Sequence, residues 1–335
     1  MGNASTTQHL PSVRPNQSEM PKVKGEMWGI AAYFNPAQYL DMSKRVSRFS
    51  QMVREQGLKL LIVEMAFGDK AFALEEDIAD ALIRIRSSCI LWQKERLLNI
   101  ALKHLPQTCN KVVWLDTDIV FGNDAWVYQT AELLETFSVV QPFDVAWYLP
   151  RGVTSVPQGL RADEFEVITH GMAYTLRQTN EQNIARGHSG FAWAWRREIL
   201  DIHGFYDRFI VGGGDLAMAW AIYELIPQLD RETWLDKYCS RAQIEDFLQW
   251  RNAIHLDLQG GASFTPGTVY HWWHGSFADR GYGDRMMILK DLNFDPRSDI
   301  TIDKTGSWIW NSDKTALHSR VRNYFWSRRE GKIQV

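Results

Sequence analysis

Two aspartates one position apart, Asp116 and Asp118, interrupt an otherwise largely apolar run, KVVWLDTDIVF (111–121). On an extended chain, residues i and i+2 project to the same side. Carboxylates that close repel, and burying them without a counter-charge is costly. A divalent cation, a polyanion held through one, or solvent at a strand end relieves the conflict. Hard carboxylates suit Mn²⁺ or Mg²⁺, and either ion binds a diphosphate. Further along, HWWHGS (271–276) offers His271 and His274 as imidazole ligands, which favour Mn²⁺ over Mg²⁺. On an extended strand their i, i+3 spacing sends them to opposite faces. One is therefore expected at the metal and the other in the core. A glycine triplet with an acid, GGGD (212–215), permits close backbone approach to a ligand. Asp215 at its end opens a helix, as N-cap, as general base, or as both.

The elements that must position these groups follow from hydrophobic periodicity. EMWGIAAYF (26–34) reads as a strand, 36–56 as a helix ended by Gly57, and LKLLIVEMAF (58–67) as a continuous apolar strand of the kind found inside parallel sheets. A short or edge strand at 81–88, an amphipathic helix at 90–105, the Asp-Thr-Asp strand, a helix at 124–136 and a strand at 138–147 follow. Strands alternating with helices predict an α/β fold, a mostly parallel sheet with helices on both faces. Such sheets bind ligands beyond the carboxyl ends of their strands, where Asp116 and Asp118 lie. YFNPAQ, not a glycine-rich fingerprint, follows the first strand, which sets a dinucleotide-binding domain aside. Residues 150–187 read as a long loop, and VYHWWHGS (269–276) as an aromatic strand.

The chain has 335 residues, 45% of them hydrophobic, enough for one large domain or two smaller ones. A net charge of −3 gives no bulk attraction to nucleic acid. Cys89, Cys109 and Cys239 are widely spaced, which argues against a disulfide framework or a structural zinc site and for a reducing compartment. No apolar run reaches the roughly 18 residues of a membrane span and no signal-peptide core follows Met1, so a cytoplasmic protein is expected. MGNAST fits the pattern for myristoylation at Gly2, and Asn3 and Asn16 sit in Asn-x-Ser sequons, although such short patterns arise often by chance. Residues 1–24, rich in Ser, Thr, Pro, Asn and Gln, read as a disordered leader. Fifteen tryptophans exceed ordinary usage, and any exposed indole stacks well on the apolar faces of sugars.

Four stretches in unbroken order resemble GT-A glycosyltransferases, in particular the β-1,4-galactosyltransferase group and its polypeptide N-acetylgalactosaminyltransferase relatives. QKERLLNIA (93–101) is similar to a segment that seats the nucleotide, with Lys94 and Arg96 in its basic positions and Asn99 matching directly. WLDTDIVF is similar to the Asp-x-Asp strand, in which Asp118 corresponds to the direct metal ligand; Asp116 then lies near the ribose or a metal-bound water. GHSGFAWAWRREILDIHGF (187–205) places Gly190 beside the donor sugar, and GGGD places Asp215 at the catalytic aspartate with Gly213 and Gly214 near the sugar. His274 corresponds to the metal-binding histidine, which leaves His271 as the weaker candidate. Phe34 and Asn35, at the end of the first strand, join the donor-binding set. Val211 and Gly214 stand where the family has tryptophan and glutamate, which leaves the acceptor and the closing of the site open.

The resemblance implies a GT-A domain over 25–298 with a smaller mixed acceptor-side region, and an extension over 299–335. It implies Mn²⁺-dependent (or Mg²⁺-dependent) transfer of a hexose or N-acetylhexosamine from a nucleotide sugar, UDP-linked, to a glycan or other hydroxyl acceptor. Inversion is expected if Asp215 is the base; in a retaining relative it would only bind acceptor or sugar. Two rivals stand beside this. DTDIV (116–120) also matches the HAD-type phosphohydrolase motif, with Asp116 as nucleophile and Asp118 as acid/base, although that motif normally lies on its domain's first strand. A non-catalytic, Trp-rich glycan-binding protein needs neither Asp pair nor Asp215.

Overall fold

The computed structural model describes residues 25–153, 165, 167–178, 187–223, 235–259 and 261–333. The leader, its Gly2 pattern and both sequons lie outside these residues. The two continuous apolar segments form β1 (Glu26–Phe34) and β2 (Lys59–Phe67), which pair in parallel. With β3 (Ala81–Ser87) and β4 (Cys109–Leu115) they make a parallel half-sheet in the order β3-β2-β1-β4. Alternate side chains enter two separate cores, as a period of two requires. Ile30, Val112 and Trp114 pack with Leu97, Leu98 and Ala101 of α2 (Lys94–Leu102). Ala31, Val113 and Leu115 pack with Val46, Phe49 and Val53 of α1 (Met42–Glu55). Helices thus cover both faces.

Beyond β4 the chain runs through β5 (Ile119–Phe121), α3 (Trp126–Leu133), β6 (Val139–Gln141), β7 (Val145–Tyr148), β8 (Val167–Gly171), α4 (Met172–Gln178), β9 (Gly187–His188) and β10 (Ala192–Arg196). Then come α5 (Arg197–His203), α6 (Gly214–Tyr223), α7 (Leu235–Tyr238), α8 (Arg241–Asp257), β11 (Ala262–Phe264) and β12 (Thr268–His271). The chain closes with α9 (Phe277–Arg280), α10 (Tyr282–Asp291), β13 (Ile300–Ile302), β14 (Trp308–Trp310) and α11 (Thr315–Ser327). The large sheet is β11-β6-β10-β4-β1-β2-β3, with β10 antiparallel to both neighbours; a second sheet is β5-β12-β7-β8-β9. The fold is α/β with a mostly parallel main sheet, as the alternation of elements predicts.

Three expectations change. The strand expected over 138–147 divides at Pro142, which has no N–H to donate; β6 stays in the main sheet and β7 joins the second. Inside the expected loop 150–187 lie β8 and α4, invisible in sequence because β8 places only intermediate and exposed residues along most of its length. The aromatic strand stops at His271, and beyond it the Trp272 N–H bonds the Asp118 carbonyl at 2.9 Å.

Residues 299–333 close over this end. Gln93 clamps β14 through Nε2 to the Trp308 carbonyl (2.7 Å) and Oε1 to its N–H (3.2 Å). Among the described residues no helix is long and apolar enough to cross a membrane.

Candidate metal and nucleotide centre

The two aspartates sit in neither strand. β4 ends at Leu115 and β5 starts at Ile119 in the other sheet, so Asp116 and Asp118 occupy the crossing between them. Their side chains therefore diverge instead of sharing one side. Asp116 Oδ1 pairs with Lys94 Nζ at 2.5 Å, and its Oδ2 accepts the Phe191 N–H at 3.3 Å. Phe191 has φ of +75°, a conformation that costs energy in a bulky residue and points to functional constraint. Asp118 turns the other way, with Oδ2 at 2.7 Å from His274 Nε2 and 3.8 Å from His271 Nε2.

Both histidines thus face the same carboxylate, which corrects the expectation that only one would. β12 ends at His271, so the alternation of an extended strand no longer governs His274. The two Nε2 atoms are 3.0 Å apart. Ligand atoms of Asp118, His271 and His274 all lie within 4.8 Å of one another. Asp118 Oδ1 and His271 Nδ1 are buried with no hydrogen-bond partner among the described residues. One carboxylate and two imidazoles with a spare buried acceptor fit a divalent ion such as Mn²⁺.

The charges respond to this crowding. Burial would raise the Asp118 carboxyl, but His274 and then His271 hold it well below the usual carboxylate range. Burial raises Asp116 against the pull of Lys94. For His274 the attraction of Asp118 outweighs burial and raises the imidazole, whereas burial pushes His271 well down. Glu330 Oε1 lies 3.3 Å from His274 Nδ1. Although burial works against its charge, Arg328 and His274 bring this carboxyl to about 2.

Asp215, in the first turn of α6, lies across a notch from these groups. A Cβ placed on Gly190 would stand 2.9 Å from Asp215 Oδ2 and 3.0 Å from His188 Cε1, so only glycine leaves that space open. Gly212 and Gly213 have φ of +93° and +107°, which glycine alone adopts readily. Gly214 instead makes room for Glu95, whose Cδ would meet its Cβ at 2.4 Å. Burial raises the Glu95 carboxyl to about 7, and the His188 imidazole falls to about 4 for the same reason.

Two adjoining cavities share Trp92, Lys94, Asp116, Asp118, His274 and Arg328. Phe34 and Asn35 line the first; Gly190, Gly213 and Asp215 line the second. Phe34 packs edge-on to Trp92, with ring centroids 5.3 Å apart. The Asn35 side chain is engaged in its own turn, bonding the Tyr39 N–H (2.9 Å) and carbonyl (2.8 Å).

Arg96 and Asn99 line neither cavity, against expectation. Helical geometry turns them away from Lys94, and both bond Asp207 Oδ2, at 3.1 and 2.9 Å. Gly214, behind Glu95, is likewise absent from both linings. Sequence reasoning missed Glu95, His188, Arg280, Arg328 and Glu330. Glu95 carried one signal, a charge inside a buried helix, while nothing local marks Glu330.

No family model matches the chain, and no curated protein matches it. Among solved structures it is similar to glucosyl-3-phosphoglycerate synthase from Mycobacterium tuberculosis in complex with Mg²⁺ and uridine-diphosphate. That match has 10% identity and a TM-score of 0.41, over 79% of this chain and 76% of that one. It is also similar to the catalytic domain of Drosophila beta1,4-galactosyltransferase 7 in complex with xylobiose (10% identity, TM-score 0.31, 60% and 62% of the two chains). S. aureus TarS 1–349 matches at 14% identity and a TM-score of 0.31, over 57% and 53%.

Proposed function

We propose that this chain is a metal-dependent glycosyltransferase that uses a nucleotide sugar, UDP-linked, and transfers the sugar to an acceptor hydroxyl with inversion. The observation that carries the reading is the convergence of Asp118, His271 and His274 beside a cavity pair that ends at Asp215. In a HAD-type hydrolase two imidazoles on Asp118 would have no task.

Asp118, His271 and His274 would hold Mn²⁺, or Mg²⁺, which supplies charge neutralisation for a leaving diphosphate. Lys94 adds a fixed positive charge beside Asp116, where a diphosphate or ribose would lie. Asp215 accepts the proton of the acceptor hydroxyl as that oxygen bonds the anomeric carbon. The bond from that carbon to the diphosphate breaks at the same time, and its electron pair leaves with the diphosphate. His188, neutral near pH 7 because burial brings it to about 4, flanks the Gly190 notch without competing as a cation.

Calorimetry of UDP with Mn²⁺, on the wild type and Asp118→Asn, tests the reading. We expect binding that chelation abolishes and that Asp118→Asn weakens at least about 10-fold, since it removes a ligand charge. UDP affinity indifferent to EDTA and to Asp118→Asn would overturn it, as would an aspartyl-phosphate trapped on Asp116.

A further inference from the structure

We propose that Glu330, in the carboxy-terminal tail, is a positioning residue that fixes the ring and tautomer of His274 for metal binding. The proposal rests on reading Asp118, His271 and His274 as the metal site. An imidazole that binds an ion through Nε2 must carry its proton on Nδ1. Glu330 Oε1 lies 3.3 Å from that Nδ1, on the side of the ring away from Asp118, and can accept the proton's hydrogen bond. Carboxylates placed in this way behind ligating histidines orient them and raise their basicity.

The tail is built to deliver this group. Arg328 donates to Glu330 Oε1 from Nε at 2.7 Å and also from Nη2, while its Nη1 donates to the Tyr324 hydroxyl at 3.0 Å. The Tyr39 hydroxyl donates to the Phe325 carbonyl at 2.9 Å, and the Leu40 N–H to the Lys332 carbonyl at 2.9 Å. These bonds pin both ends of the segment to the loop after β1. Its backbone then passes directly over the histidine motif. A Cβ on Gly275, whose φ is +108°, would stand 3.1 Å from the Arg328 carbonyl oxygen. Glycine next to His274 is therefore what lets the tail approach. Glu330 itself is 6% exposed, so its carboxylate is committed to Arg328 and His274 and not to solvent.

A tail that merely staples the fold predicts different behaviour from one that orients a ligand. Mn²⁺ affinity is measured by electron paramagnetic resonance on the full chain for wild type, Glu330→Ala, Glu330→Gln and Tyr39→Phe. Nitrogen NMR reads the His274 tautomer in the same metal-free proteins. We expect Glu330→Ala to bind Mn²⁺ about 10–100-fold more weakly, the scale seen when such partners of ligands are removed. Nδ1 protonation of His274 should fall in that variant. Glu330→Gln, whose amide oxygen still accepts but carries no charge, should lose less and keep the tautomer. Tyr39→Phe, which removes one pin of the tail but leaves the Glu330 carboxylate, should lower Tm and weaken Mn²⁺ binding by less than Glu330→Ala does. Wild-type affinity in Glu330→Ala overturns the proposal, as does an equal loss in Tyr39→Phe. If Glu330→Ala does not fold, unchanged affinity in Glu330→Gln overturns it. A wild type that binds no Mn²⁺ removes the metal reading itself, an outcome distinct from these.

Discussion

Two buried polar clusters flank helix α2 and share residue types, yet they are wired differently. On one side Arg96 and Asn99 meet Asp207, and Arg208 and the Tyr206 hydroxyl meet Asp246. Asn99 also accepts the Phe205 N–H at 2.8 Å, and Arg96 donates to the Gly306 carbonyl at 2.5 Å. Every carboxylate there faces a guanidinium or an equivalent donor. On the other side Lys94, Glu95, Asp116, Asp118 and Asp215 border open cavities, with a buried carboxylate oxygen on Asp118 lacking a partner among the described residues. Closed networks stabilise a fold. A network with an unmet acceptor beside a cavity is arranged for something that arrives.

The largest effect expected from this contrast is on stability. Asp207→Ala leaves Arg96 buried without its carboxylate and should destabilise by roughly 3 kcal/mol. Mn²⁺ affinity should stay at the wild-type value, measured in the same denaturation and metal-titration series. A variant that loses metal but not stability would erase the distinction. Next in size is Asp215→Asn, which keeps the side chain's shape and its helix position but deletes the base. Transfer should fall by roughly 100-fold, about 2.7 kcal/mol of barrier, with UDP and Mn²⁺ binding retained. Near-wild-type transfer would reduce Asp215 to a helix-start residue and remove the case for inversion.

The smallest effect concerns pH and belongs to the cleft alone. Glu95 titrates near 7 when folded against an ordinary value of 4.5, so the folded state keeps a proton that the unfolded state has lost. Its contribution to stability therefore falls as pH rises from about 4.5 to 7. His188 has the opposite sign: at about 4 against 6.5, its folded form refuses a proton that the unfolded form takes, so stability rises with pH across that window. The two partly cancel in the wild type. In EDTA, Glu95→Gln should steepen the rise of Tm between pH 4.5 and 6.5, and His188→Asn should reverse it. Parallel Tm profiles for all three proteins would show that neither group is held at a shifted pKa.

Local pattern determined the parallel half of the molecule. β1, β2 and α2 were legible because burial on both faces leaves continuous apolar runs and a helix leaves a 3.6-residue period. The types of the chemical groups were legible too: Asp116, Asp118, Asp215 and His274 stood out as polar residues in apolar settings. What each one faces was decided only by tertiary structure. His271 joins Asp118 because β12 ends where an extended strand was expected to continue. Arg96 and Asn99 leave the cleft because neighbours on a helix point in different directions, and only the docking of β14 and Asp207 selects which direction is inward. β8 pairs through backbone hydrogen bonds that its side chains do not announce. Glu330 reaches His274 across a long stretch of chain by bonds to the loop after β1, and its local sequence, RREGK (328–332), reads as any solvated charged tail. Periodicity reports which side of an element is buried. Which partner lies on that side depends on contacts between distant segments, and those exist only once the chain has folded.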